Sequence, residues 1–258
     1  MIRTAIRLFA LVVTVIVIAW VLRNGGAAEA DEARAAGAEA AAIASADPQE
    51  SLPAGADDAA ARLAASPRHA EWVMIGAGED SIRSWVVYPE RSDAAPVVVV
   101  VHEIFGMSTW VRAVADQLAA EGFIAIAPDL LTMMDVPANE AGDVADPDAA
   151  RAAIRNLDRE VASGYVSAVA EYGMSLPAAR RAYGVVGFCW GGTTSFTHAI
   201  HASGLGAAAV YYGSSPDVEH YASIRAPVLG LYGGADERVN ATIPAAVEAM
   251  QALGKSYE

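Results

Sequence analysis

Apolar and polar positions change their spacing from one stretch to the next after residue 70, as they do in chains that alternate strands with helices. The stretches EWVMIGAG and SIRSWVVYP are rich in β-branched and aromatic residues, and a Gly/Asp turn joins them, so they predict an opening hairpin. The run APVVVVVHE is continuously apolar, which is typical of a strand that is buried on both faces. Behind Ser108, a candidate N-cap, apolar residues recur at helical spacing and predict a helix over 108–121.

The same alternation continues to residue 254. We expect strands at FIAIAPD, AYGVVGF, GAAAVYYG and APVLGLYGG. Helices are predicted over 147–174 with a break near Asp158, over 190–203, and at ATIPAAVEAMQALG. Strands that alternate with helices form parallel sheets with helices on both faces. The predicted fold class is therefore α/β, with a mostly parallel sheet.

The start of the chain has the pattern of an export signal. Arg3 and Arg7 precede an apolar run over 8–22, and residues 28–30 read Ala-Glu-Ala, an A-x-A cleavage pattern. The run is at the upper end for a signal-peptide core and slightly short for a full span, so a cleaved signal peptide and an uncleaved membrane anchor both stay open. Either one sends the remaining chain to the periplasm or the extracellular space, because positive charge precedes the run and acidic residues follow it.

The segment after this signal is rich in alanine and in acidic residues and has almost no large apolar side chains. Such a segment buries too little surface to offset its ordering entropy. We therefore divide the chain into a signal peptide or membrane anchor over 1–30, an Ala-rich acidic linker over 31–66, and one α/β domain over 67–258.

Charge and cysteine content narrow the functional classes. The chain carries 17 basic and 31 acidic side chains, and a formal charge of −14 argues against a nucleic-acid partner. Its single cysteine excludes an internal disulfide and a cysteine-based metal cluster. His198 and His201 have i, i+3 spacing but no third ligand, so we predict no metal and no cofactor. The oligomeric state stays open.

The single cysteine, Cys189, stands between a predicted strand and a predicted helix, in the sequence Gly-Phe-Cys-Trp-Gly. This G-x-C-x-G pattern has the form of a nucleophile elbow with cysteine in the serine position, where Gly187 and Gly191 permit the tight turn. Ligands of an open parallel sheet bind beyond the carboxyl ends of its strands, which is where this cysteine lies. The following helix N-terminus favours a thiolate. A buried structural cysteine is the alternative, and the elbow context favours the nucleophile.

Four segments together identify a family: HEIFG at 102–106, GFIAIAPDLL at 122–131, GFCWGG at 187–192 and LYGGADERV at 231–239. With them the chain resembles the dienelactone hydrolase family, the carboxymethylenebutenolidases, from about residue 70 to 258. The resemblance implies an α/β-hydrolase fold and hydrolysis of a small lactone or ester through a Cys-His-Asp triad and a thioester. It implies that Cys189 is the nucleophile, that Asp236 is the triad carboxylate, and that Glu103 helps to convert the thiol to thiolate.

The positions of these residues agree with their implied roles. Glu103 ends one predicted strand and Asp236 follows another, so both carboxylates are expected at the same rim of the sheet as Cys189. The backbone N–H groups of Ile104 and Trp190 are expected to form an oxyanion hole. A surface glutamate and a turn aspartate are the structural alternatives.

The triad histidine is missing from its expected place. No histidine follows Asp236, and His69, His102, His198, His201 and His220 all lie at unsuitable positions. The family continues with one more strand, a histidine loop and a closing helix. We therefore expect a C-terminally incomplete hydrolase that lacks its last strand and helix, with the histidine beyond residue 258 and little activity in the 258-residue chain.

Substrate identity is not determined by these patterns beyond a small ester or lactone. Arg151, Arg155 and Arg159 follow the polar loop, where one of them could reach the pocket, but we interpret them as solvated helix arginines. A second class of function stays open, namely an exported α/β-hydrolase-like domain that binds a ligand without turnover.

Overall fold

A seven-stranded sheet lies at the centre of residues 54–258, the part of the chain that the computed structural model describes. The strands are β1 Ala70–Ala77, β2 Asp80–Val87, β3 Ala95–Val101, β4 Ile124–Pro128, β5 Ala179–Phe188, β6 Ala207–Tyr211 and β7 Val228–Leu231. Their order is β1-β2-β4-β3-β5-β6-β7. The hairpin β1–β2 and the pair β2–β4 are antiparallel, and the other pairs are parallel, as predicted.

Helices cover both sides of the sheet. They are α1 Ala59–Ala65, α2 Thr109–Ala120, α3 Pro147–Asn156, α4 Arg159–Ser175, α5 Trp190–His201, α6 Glu237–Asn240 and α7 Ile243–Ala252, with short 3-10 helices at Thr132–Met134 and Val218–Ser223. Ser108 caps α2, since its hydroxyl accepts the Val111 N–H at 3.2 Å. The predicted break at Asp158 arises because its carboxylate caps α4 at the N–H groups of Glu160 and Val161.

The centre of the sheet sets the position of the functional rim. Strand β3 lies between β4 and β5, and five of its seven residues are buried, while Pro96 and Val98 on one face are partly exposed. The ends of neighbouring strands are in register: Val101 pairs with Gly187, Phe188 with Tyr211, and Tyr211 with Leu231. The residues that follow β3, β5, β6 and β7 therefore meet at one edge, the carboxyl rim of the sheet.

The predicted linker needs a correction at its C-terminal end. Helix α1 lies inside 31–66, and the compact unit begins at Gly55, so the domain starts before residue 67. Just after α1, the Ser66 hydroxyl and the Arg68 guanidinium both donate hydrogen bonds to the nearly buried Asp116 carboxylate of α2. Low apolar content led to the linker prediction, whereas small alanines close to α2 allow tight packing here.

The predicted signal or anchor over 1–30, with its apolar run over 8–22, lies outside the described residues. Within residues 54–258, none of the helices combines the length and the apolar character that a membrane span requires. At the other end of the chain, residues 256–258 hydrogen-bond alongside β7 in parallel register, where the Val228 N–H donates to the Ser256 carbonyl and the Glu258 N–H to the Val228 carbonyl, each at 3.1 Å.

Candidate active site

Cys189 occupies a sharp turn between β5 and α5. Its backbone has φ 55° and ψ −112°, a region that residues with a side chain seldom enter and that costs about 1–3 kcal/mol. The two flanking residues must be glycines because there is no room for a side chain at either position. A Cβ at Gly187 would lie 2.0 Å from the Gly191 carbonyl oxygen, and one at Gly191 would lie 2.3 Å from the carbonyl oxygens of His102 and Val101. The turn therefore has the geometry of a nucleophile elbow at the carboxyl rim.

Glu103 follows β3 at the same rim. Burial raises the pKa of its carboxyl group to about 7, although the backbone N–H groups of Phe105 and Ile104 act in the opposite direction. The Glu103 charge in turn raises the pKa of the Cys189 thiol, so the two groups are close enough to interact. A carboxyl group that titrates near neutral pH is suited to accept a proton and return it.

The Cys189 side chain is held as a thiol. Burial raises its pKa, and the charges of Glu103 and Asp236 raise it further, whereas the Trp190 N–H and the Arg238 guanidinium lower it. The first N–H of α5 thus favours the thiolate, as the sequence predicts, but burial outweighs it. The resting sulfur needs a base before it can act as a nucleophile.

Asp236 reaches this rim as the N-cap of α6. Its Oδ1 atom accepts the Val239 N–H at 3.1 Å, which is the structural role of a turn aspartate. Its charge also makes a small contribution that raises the pKa of the Cys189 thiol. Among the described residues, no histidine donates a hydrogen bond to this carboxylate.

Four of the five histidines have partners other than Asp236. His102 is fully buried between the ends of β3 and β4, and both of its ring nitrogens have backbone partners. His198 is buried against Ser163 and Tyr183, and burial lowers its pKa to about 4. His69 is exposed and stacks on Tyr88, His220 is exposed beside Glu219, and His201 is exposed at the end of α5. None of these contacts joins a histidine to Cys189 or to Asp236.

Two residues at the rim were missed by the sequence patterns. Arg159, interpreted as solvated, is half-buried, and its Nη1 atom donates to the Trp190 carbonyl and to the Thr194 hydroxyl, each at 3.0 Å. Its guanidinium carbon also lies 5.0 Å from the centre of the Trp190 ring. Its position in the sequence gave no signal for these contacts, which depend on how α4 packs against α5.

The second missed residue is Tyr212, which follows β6 with a left-handed φ of 42°. Burial raises the pKa of its phenol to about 12, with smaller contributions from Cys189 and Glu103. The phenol is therefore neutral at physiological pH, and its ring lies near the Phe188 and Tyr211 rings. Tyr212 and Phe105 are each 39% exposed and give the rim an apolar edge. No cluster of metal-binding side chains is found among residues 54–258.

A mostly parallel sheet with helices on both sides and a nucleophile elbow at its carboxyl rim defines an α/β-hydrolase. The model of the dienelactone hydrolase family matches residues 82–258. The chain belongs to this family and is, by class, an ester or lactone hydrolase.

Relatives and solved structures agree with this placement. A Salmonella typhimurium protein named "Putative carboxymethylenebutenolidase" is 33% identical over 205 residues, which cover 72% of this chain and 75% of the relative. A Methylorubrum extorquens protein of the same name is 31% identical over 202 residues, covering 72% and 67%. The crystal structure titled "Putative Dienelactone Hydrolase" from Klebsiella pneumoniae superimposes with a TM-score of 0.65 at 28% identity, covering 74% of this chain and 83% of that one.

Proposed function

We propose that this hydrolase cleaves a small ester or lactone through Cys189 and a thioester intermediate. The observation that carries the proposal is the strained elbow, which holds one thiol at the carboxyl rim beside a carboxyl group of raised pKa. Backbone strain of this kind persists where the surroundings enforce it, and it clusters at reactive positions. Family membership disfavours the alternative of a non-catalytic binding domain.

Acylation begins with a proton transfer. The Glu103 carboxylate accepts the proton of the Cys189 thiol, and the thiolate sulfur attacks the carbonyl carbon of the substrate. The electron pair of the carbonyl bond moves to its oxygen, and the N–H groups of Ile104 and Trp190 donate hydrogen bonds to this oxyanion. The carbon–oxygen bond to the leaving alcohol then breaks, and that oxygen takes the proton from Glu103. A lactone leaves its alcohol attached to the acyl group.

Deacylation requires a base that activates water. Asp236 lies at the rim, where its carboxylate could orient such a base. None of the five histidines reaches this place, so we propose that the 258-residue chain acylates once and retains the thioester. Loss of a triad member costs several orders of magnitude in turnover.

The test is to incubate the full chain with an activated aryl ester while product release and intact mass are followed together. We expect a stoichiometric burst and an acyl adduct on Cys189, no adduct in Cys189→Ala, and a weak, slow adduct in Cys189→Ser, because an alkoxide is far harder to form than a thiolate. An unchanged burst in Cys189→Ala would remove the cysteine from the mechanism. Sustained turnover would show that a histidine of this chain serves as the base.

We also propose that the enzyme is exported and that the apolar run over 8–22 is its signal or tether. The basic residues before that run and the acidic ones after it support this location. Fractionation of cells that express the full chain should recover it outside the cytoplasm, either free or with the membrane. Recovery in the cytoplasmic fraction would contradict the proposal.

A further inference from the structure

His102 is a buried imidazole that ties two rim loops together. Its Nε2 atom accepts the Leu130 N–H at 3.1 Å, and its Nδ1 atom lies 2.7 Å from the Glu103 carbonyl oxygen. A backbone N–H can only donate and a carbonyl oxygen can only accept, so Nδ1 carries the ring proton and donates it to Glu103. Burial lowers the pKa of the imidazole and keeps it neutral, against the opposing charge of Asp129.

The hydrogen bond from His102 fixes one particular peptide group. The Glu103 carbonyl and the Ile104 N–H belong to the same trans peptide, in which the C=O and N–H vectors point in opposite directions. Anchoring the oxygen on the imidazole therefore turns the N–H away from it. The Ile104 N–H instead hydrogen-bonds to the Glu103 carboxyl group and lowers its pKa, and the charge of that carboxyl group acts on Cys189.

The other candidate oxyanion donor is fixed by a helix. The Trp190 N–H shares its peptide with the Cys189 carbonyl, which accepts the Thr193 N–H at 3.2 Å in the first turn of α5. Residues 102–106 lie outside any helix, and within residues 54–258 the Glu103 carbonyl accepts, besides the His102 bond, only a longer bond from the Gly106 N–H at 3.3 Å. The hydrogen bond from the imidazole therefore orients the Glu103–Ile104 peptide, as the first turn of α5 orients the Cys189–Trp190 peptide.

We propose that His102 is a positioning residue that aims the Ile104 N–H at the oxyanion and is not the base. This inference rests on the proposed function, in which that N–H stabilises the tetrahedral oxyanion. A donor bond to the carbonyl of the same peptide also polarises the N–H and strengthens its donation. The ring stacks near Trp190, with ring centres 6.3 Å apart, which keeps its plane fixed between the two loops.

Two variants separate positioning from packing. In His102→Asn the side-chain N–H₂ stands at the δ position and retains a donor for the Glu103 carbonyl, whereas His102→Leu fills similar space without a donor. The full chain and both variants are acylated with an activated aryl ester in single turnover, at a temperature where each is folded. The amount of reactive Cys189 is determined by titration with iodoacetamide. Alkylation displaces iodide and develops no oxyanion, so it is the matched control reaction.

We expect His102→Leu to acylate at least about tenfold more slowly, since loss of a whole oxyanion donor costs roughly 10²–10³. His102→Asn should stay within about threefold of the unaltered chain, and alkylation should be alike in all three. Equal acylation in all three, or equal slowing in both variants, would overturn the inference, because a residue that acts through packing alone gives no rescue by asparagine.

Failure of the proposed function has a separate signature. If the unaltered chain forms no acyl adduct, the proposed function fails, and crystal structures of the two variants decide the role of His102. The Glu103–Ile104 peptide should keep its orientation in His102→Asn and rotate in His102→Leu. An unrotated peptide in His102→Leu would overturn the inference on its own.

Discussion

Replacing Glu103 with glutamine should stabilise the fold while it slows the chemistry. Burial raises the pKa of this carboxyl group from 4.5 to about 7, so the folded protein retains a proton that the unfolded chain has already lost. By linkage, stability then falls as pH rises from 4.5 to 7 and stays reduced above that window. The full difference corresponds to roughly 3 kcal/mol, and solvent screening of this partly exposed group reduces it to about 1–2 kcal/mol.

The assay is urea unfolding at pH 4 and pH 8. Glu103→Gln should gain about 1–2 kcal/mol over the unaltered chain at pH 8 and little at pH 4, where the carboxyl group is neutral in both states. Glu248→Gln, a change at an exposed position of α7, is the control and should alter neither value. An equal gain at both pH values, or none at pH 8, would refute the assignment of a raised pKa.

The same variant separates the two roles of the Glu103 charge. Its charge raises the pKa of the Cys189 thiol, so without it alkylation by iodoacetamide should reach half its maximal rate at a lower pH. Acylation of the full chain by an activated ester should nevertheless slow by more than about tenfold, because the proton acceptor is gone. Parallel changes in both reactions would show that Glu103 affects only the thiol equilibrium.

Further changes probe the elbow and the buried polar groups. Arg159→Met should lower the free energy of unfolding by about 1–2 kcal/mol, because its hydrogen bonds to Trp190 and Thr194 are lost. Arg155→Met, at an exposed position, is the control and should change it by less than about 0.5 kcal/mol. Equal effects would show that the hydrogen bonds of Arg159 do not contribute to stability. Gly191→Ala should lower the free energy of unfolding, measured in urea, by more than about 3 kcal/mol. Gly164→Ala, where a Cβ meets open space, is the control and should be neutral or stabilising. A stable Gly191→Ala protein would contradict the close backbone contact at this glycine. Below pH 6.5, His198 becomes protonated in the unfolded chain but stays neutral in the folded protein, where burial lowers its pKa to about 4. The free energy of unfolding should therefore fall as the pH is lowered from 6.5 to 4, and this dependence should be weaker in His198→Gln. An unchanged pH dependence in His198→Gln would show that other groups cause the acid sensitivity.

The sheet and most helices follow from local patterns in the sequence. The valine run of β3 and the caps at Ser108 and Asp158 act within a few residues of their positions, so they can be recognised without the fold. The resemblance named Cys189, Glu103 and Asp236, and strand register brings their rim positions together.

The remaining features depend on contacts between distant segments. In the sequence Arg159 cannot be distinguished from a solvent-exposed arginine of a helix. Only the packing of α4 against α5 brings it to the Trp190 carbonyl. His102 adjoins Glu103 in the sequence, but its role depends on Leu130, which follows a different strand. Helix α1 was missed because its alanines carry little hydrophobic signal until α2 is beside them.

In the mechanism that we propose, the electrostatics of the rim suit a buried thiol that is paired with an acid of raised pKa. Creating a thiolate in this place by loss of a proton to water would add a charge where burial already opposes one. Transfer of the proton to Glu103 leaves the number of charges unchanged, since the carboxylate becomes neutral as the sulfur becomes anionic. The cost of activation is then the difference between two raised pKa values, which is smaller than the desolvation of either charge alone. A fixed oxyanion hole can stabilise the charge as it moves on to the substrate, so the site passes one negative charge from carboxylate to sulfur to oxygen.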